Sequence, residues 1–145
     1  MKKFQVQTLI TISMDKSKFV AEYEIKSSTK VLFPYISTAS GLEQWFAEKV
    51  AILSDNRFNF QWDGESHFAR QSVYRLNKQV KYEFEHPESD TGSSESNYIE
   101  MRLDVSDLTQ STYLRIVDCS QTMDEEELNF VWDGLIDSLK EIVGS

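Results

Sequence analysis

The chain has 145 residues, 40% of them hydrophobic, and a formal net charge of −9. That length suits a single domain with a real core, and such acidity argues against nucleic acid or an anionic membrane as the main partner. One cysteine, Cys119, leaves no internal disulfide and fits a reducing, cytoplasmic setting, while no apolar run approaches the roughly 18 residues of a membrane span.

Met1-Lys2-Lys3 ahead of Gln5 to Ser13 imitates a signal peptide only weakly, because Gln5, Gln7, Thr8 and Thr11 interrupt the apolar middle. Met14 offers a second start. Residues 1–13 are then either an added edge strand, with Val6, Thr8, Ile10 and Ile12 alternating, or an over-called start. Residues 1–17 are taken as an N-terminal extension and 18–145 as the domain.

From Lys18 to Lys26, Phe19, Ala21, Tyr23 and Ile25 alternate with charged residues, which predicts a half-buried strand. Ser27, Ser28 and Thr29 then supply helix-start chemistry before Val31 to Ile36. Pro34 sits too deep for a first-turn proline, so this helix is short or kinked. A second start at Thr38 to Gly41 precedes Leu42, Trp45 and Phe46, giving two short helices in succession.

Alternation returns after Lys49. Phe58, Phe60 and Trp62 share a face, and Asp63-Gly64 supplies a tight turn. Phe68 to Leu76 reads as a strand of unsettled phase, so either Arg70 or Gln71 faces inward. Val80, Tyr82 and Phe84 alternate with Lys81, Glu83 and Glu85, placing those acids in water. Residues 87–97 form a polar loop. Strands follow at Ile99 to Val105 and around Leu114 and Ile116.

The segment from Thr122 to Gly144 predicts the one long amphipathic helix, with Leu128, Val131, Trp132, Leu135, Leu139, Ile142 and Val143 as its stripe. Thr122 and Glu125 have capping-box spacing, Asp124 to Glu127 suit the positive end of the helix dipole, and Gly144 is a stop. Gly134 inside this helix is costly unless something needs the room, so it is expected to face or flank a pocket where Gly134→Leu would block a ligand. A strand, two short helices, several antiparallel strands and a closing helix make an α+β fold. Its sheet curls around the long helix and leaves a wedge between them.

The stretch Ser28-Thr29-Lys30-Val31-Leu32-Phe33, then Ser37-Thr38-Ala39-Ser40-Gly41-Leu42-Glu43-Gln44-Trp45-Phe46, resembles the opening of the START-like, helix-grip superfamily. Within it, the pattern is similar to homologues of the heat-shock-protein-ninety ATPase activator. Phe60-Gln61-Trp62-Asp63-Gly64 and the Trp132 to Leu139 helix agree in order. Tyr23-Glu24-Ile25-Lys26-Ser27-Ser28 is similar to bacterial START-like proteins whose role is uncharacterised. The resemblance covers about residues 18–144 and implies a helix-grip fold; Pro34 departs from the usual placement of proline near the helix start. This fold hosts binders, chaperone partners and enzymes alike.

Chemistry is sparsely signalled. His67, His86 and Cys119 lack metal-ligand spacing, and no nucleophile elbow or phosphate loop appears, so no metal or cofactor is expected. Asp118 shares phase with Leu114 and Ile116 and is expected to look into the wedge, where burial would raise its pKa. The aromatic set is the strongest binding signal. Trp45, Phe46, Phe60, Trp62, Tyr82, Phe84 and Trp132, with Gly134, are the expected cavity lining, and Gln71, His67 and Asp118 its polar members; each aromatic also serves as plain core.

The leading expectation is non-catalytic binding of a small hydrophobic or amphipathic ligand. A chaperone-linked protein-interaction module, with the acidic second half as its docking surface, is the alternative. A cyclase- or hydrolase-type enzyme using Asp118 or His67 ranks third.

Overall fold

A computed structural model describes residues 17–85, 97–120 and 124–144. The expected extension up to residue 16, the ligand candidate His86, most of the polar loop and the capping residue Thr122 lie outside the described residues. Among those described, seven strands form one antiparallel sheet: β1 (Ser17–Ile25), β2 (Lys49–Ile52), β3 (Arg57–Trp62), β4 (Glu65–Arg75), β5 (Gln79–Phe84), β6 (Tyr98–Val105) and β7 (Thr112–Ser120). Their spatial order is β1-β7-β6-β5-β4-β3-β2, so the two earliest strands are the edges and the chain returns to close against β1. Two short helices, α1 (Thr29–Ser37) and α2 (Ala39–Leu42), follow β1, and α3 (Glu125–Val143) ends the fold. This is the helix-grip arrangement expected from the sequence.

The short helices form where the sequence offers caps. Ser28 accepts from Val31 N–H at 3.1 Å to open α1, and Thr38 accepts from Gly41 N–H at 3.0 Å to open α2. Pro34 stays inside α1, which ends one turn later, where its carbonyl takes both the N–H and the hydroxyl of Thr38. Gly41 packs so closely on this corner that a Cβ would lie 2.1 Å from the Pro34 oxygen. Only glycine lets the two helices meet this way.

The uncertain phase of β4 has a physical cause. Its pairing with β5 shifts between Gln71 and Val73, where Ser72 is an extra residue. A β-bulge of this kind bends the strand and breaks strict alternation. Ala69 and Gln71 therefore face inward, and Arg70 faces out to donate to the Asp55 carbonyl at 2.9 Å. Asp63 and Gly64 both take positive φ, at 53° and 78°, and form the two-residue turn that Trp62 and Glu65 close. The four-residue β2 was not singled out in the sequence; among the described residues it pairs only with β3.

Helix α3 starts at Asp124, which accepts from Glu127 N–H at 2.8 Å, and stops at Gly144 with φ of 79°. Leu128, Trp132, Ile136 and Leu139 are buried, each adding about 1.5–3 kcal/mol of apolar burial. The stripe is thus rotated from the expected one. Ile136 joins it, whereas Val131 and Ile142 are each 37% exposed at its borders.

Candidate functional site

Register aligns one inward-facing residue from each of five strands into a row: Gln71, Tyr82, Ile99, Asp118 and Phe19. Its polar members have different fates. Gln71 Nε2 donates to the Ser37 carbonyl at 3.2 Å and to Tyr82 Oη at 3.1 Å, and that hydroxyl donates to the Ile36 carbonyl at 2.6 Å. Burial raises the Tyr82 pKa well above the usual phenol range. This end of the row anchors α1 and is closed.

Asp118 lies at the other end, only 7% exposed, between Phe19 on β1 and Ile99 on β6. Trp132 Nε1 donates to its Oδ2 at 2.8 Å. Desolvation raises the carboxyl pKa, and the indole hydrogen bond only partly opposes this. Two apolar neighbours and one neutral donor supply no counter-charge.

Beside Asp118 a cleft of about 840 Å³ opens between the sheet and the first half of α3. Phe46, Trp62, Phe84 and Trp132 line it, as do His67 and Asp118. Those are six of the residues expected from the sequence. Helix α3 adds Leu128, Val131 and Leu135, which stand at i, i+3 and i+7 beside Trp132. Phe68, Tyr98, Ile99 and Cys119 also contribute, with Asp63, Ser66, Glu85 and Asn97. The helical spacing could have revealed the three α3 residues; the register that brings Ile99 beside Asp118 could not be read.

Five expected members are not in this lining. Trp45, Phe60, Tyr82 and Gln71 sit behind it as packed core or anchor. Trp45 spends its indole N–H on the Tyr35 carbonyl at 2.8 Å, and Phe60, fully buried, lies within 5.8 Å of Phe46, Phe58, Trp62, Tyr82 and Phe84 by ring centroid. Gly134 points the other way. It stands two residues from both Trp132 and Ile136, about 200° around the helix, and a Cβ there would meet nothing within 4 Å. The residue is exposed and makes no room for a ligand.

The lining is held rigidly where it is aromatic. Trp62 Nε1 donates to the Phe46 carbonyl at 2.8 Å, and the Phe46 ring lies 5.3 Å from Trp62 and 5.7 Å from Trp132. At the rim His67 packs against Trp62 at 5.3 Å, with Nε2 4.0 Å from Glu65 Oε1. Glu85 is engaged by Arg57, Nε to Oε2 at 2.6 Å, which holds its carboxyl below the usual range. Among the described residues no group of three or more His, Cys, Asp or Glu is placed to hold a metal ion, and no helix is long and apolar enough to cross a membrane.

A family model for the START-like superfamily domain matches residues 13–145. The chain belongs to the START-like superfamily. Solved structures agree with this START-like domain in fold. The Aha1 dimer from Colwellia psychrerythraea aligns with a TM-score of 0.68 at 20% identity, over 88% of this chain and 96% of that one. A crystal structure from Mesorhizobium loti gives 0.72 at 17% identity, over 88% and 97%. A solution structure from Bacteroides fragilis gives 0.57 at 29% identity, over 89% and 92%. No curated protein matches the sequence.

Proposed function

We propose that this START-like domain binds a small hydrophobic or amphipathic molecule in the cleft between the sheet and α3, without transforming it. The observation that carries the reading is the cleft itself. Its volume of about 840 Å³ falls within the range of small-molecule sites, and its walls are mainly aromatic and aliphatic with a few polar groups, the usual make-up of such sites. Membership of the superfamily supports it, and the lone cysteine suits a cytoplasmic setting. Catalysis finds less support. Asp118 is engaged by an indole deep in the cleft, and His67 stands at the exposed rim against Trp62.

Native mass spectrometry of freshly purified protein, before and after solvent extraction, tests the reading. A retained adduct that extraction removes is expected, and re-addition at about a hundredfold excess over Kd should raise Tm by about 5 °C or more. Val131→Trp, which places an indole in the cleft mouth, should reduce retention. No adduct, no Tm change across a panel of lipids and metabolites, and no effect of Val131→Trp would sink it.

A further inference from the structure

The charges around the cleft restrict what it can hold. Its described lining residues include the carboxylates of Asp63, Glu85 and Asp118 but no lysine or arginine. Glu85 is already engaged by Arg57 and Asp63 stands on an exposed turn, so among the described residues the carboxyl left buried without a cation is Asp118. An anionic head group there would meet a like charge in a poorly solvated place, which is strongly unfavourable. A cationic head group would supply the missing counter-charge. Aromatic rings beside a buried carboxylate also suit ammonium recognition, because the ring faces attract cations most strongly where water is excluded. Trp132 bonds Asp118 directly, and Phe46 and Trp62 line the same cleft.

We propose that the ligand of this cleft is a hydrophobic amine, its ammonium group meeting Asp118 among the aromatic rings and its apolar body lying along Leu128, Val131 and Leu135. This rests on the ligand-binding reading above and narrows it to a chemical class. The same carboxylates disfavour fatty acids and other anionic amphiphiles.

Decylamine, decanol and decanoate share one chain length and differ in head group, which makes them matched probes. Titration of the full chain below micellar concentrations, at about 0.15 M salt to screen the net negative surface, should rank decylamine tightest and decanoate at least about tenfold weaker, a 1.4 kcal/mol difference. In Asp118→Asn the preference for decylamine over decanol should fall at least about tenfold. Val131→Lys, a change at a partly exposed lining position, should shift selectivity toward decanoate by about tenfold and does not depend on the core tolerating a change. Decanoate binding as tightly as decylamine, or unchanged selectivity in both variants, would overturn the assignment while leaving the ligand-binding reading intact. Failure of all three probes to bind would overturn the amine assignment, while the ligand-binding reading is decided by the mass-spectrometric and Tm test above.

Discussion

Trp132 donates its indole N–H to Asp118 Oδ2 at 2.8 Å, joining the long helix to the last strand beside the cleft. The pair is asymmetric. Trp132 gains a partner for a buried donor, whereas Asp118 keeps a charge that one neutral hydrogen bond does not offset.

That asymmetry sets a pH dependence. Because the native pKa of Asp118 lies above its ordinary 3.8, ionisation opposes folding. The penalty vanishes well below the ordinary 3.8, where both states are protonated, and grows until the pH exceeds the native pKa. Asp118→Asn keeps an acceptor for the indole and removes the penalty. Urea denaturation should show the variant gaining stability relative to wild type as pH rises from about 4 to 7. A difference that stays constant or shrinks over that interval would show that Asp118 is not a destabilising charge.

Glycines at two positions should respond in opposite directions. Gly134 is exposed in mid-helix with open space around it, so Gly134→Ala should stabilise by about 0.5–1 kcal/mol. Gly41→Ala forces a Cβ against backbone at 2.1 Å and should cost about 3 kcal/mol, the upper end of overpacking. Thermal denaturation of both variants checks the contrast. A destabilised Gly134→Ala would mean that α3 has an unrecognised neighbour on that side.

Tyr82→Phe removes the hydroxyl that ties β5 to the Ile36 carbonyl and receives Gln71. The buried carbonyl and amide lose a partner, so stability should fall by about 1–3 kcal/mol. Faster amide exchange should be concentrated in α1, and a uniform increase over the sheet would argue against a local anchor.

Local chemistry made much of this fold legible. Caps at Ser28 and Thr38, alternation in β1 and β5, the Asp63-Gly64 turn and the αL stop at Gly144 all act over a few residues, and the sequence carries them openly. The cleft was only half legible, because lining depends on where strands pair. Phe60 and Trp62 share a face of β3, yet Trp62 lines the cleft and Phe60 is sealed behind it. Gly134 was misread for a related reason. A glycine's cost is visible in sequence, but the side of the helix it faces follows from the phase of the buried stripe, and that phase turned on Ile136.

The extra residue at Ser72 has a consequence for length variation. On one side of it Gln71 pairs with Tyr82, and on the other Val73 pairs with Lys81, so deleting Ser72 would leave both registers as they are. What the deletion would remove is the bend. A relative shorter by one residue here would keep the same partners on a flatter sheet, with none of the cleft's lining residues changed.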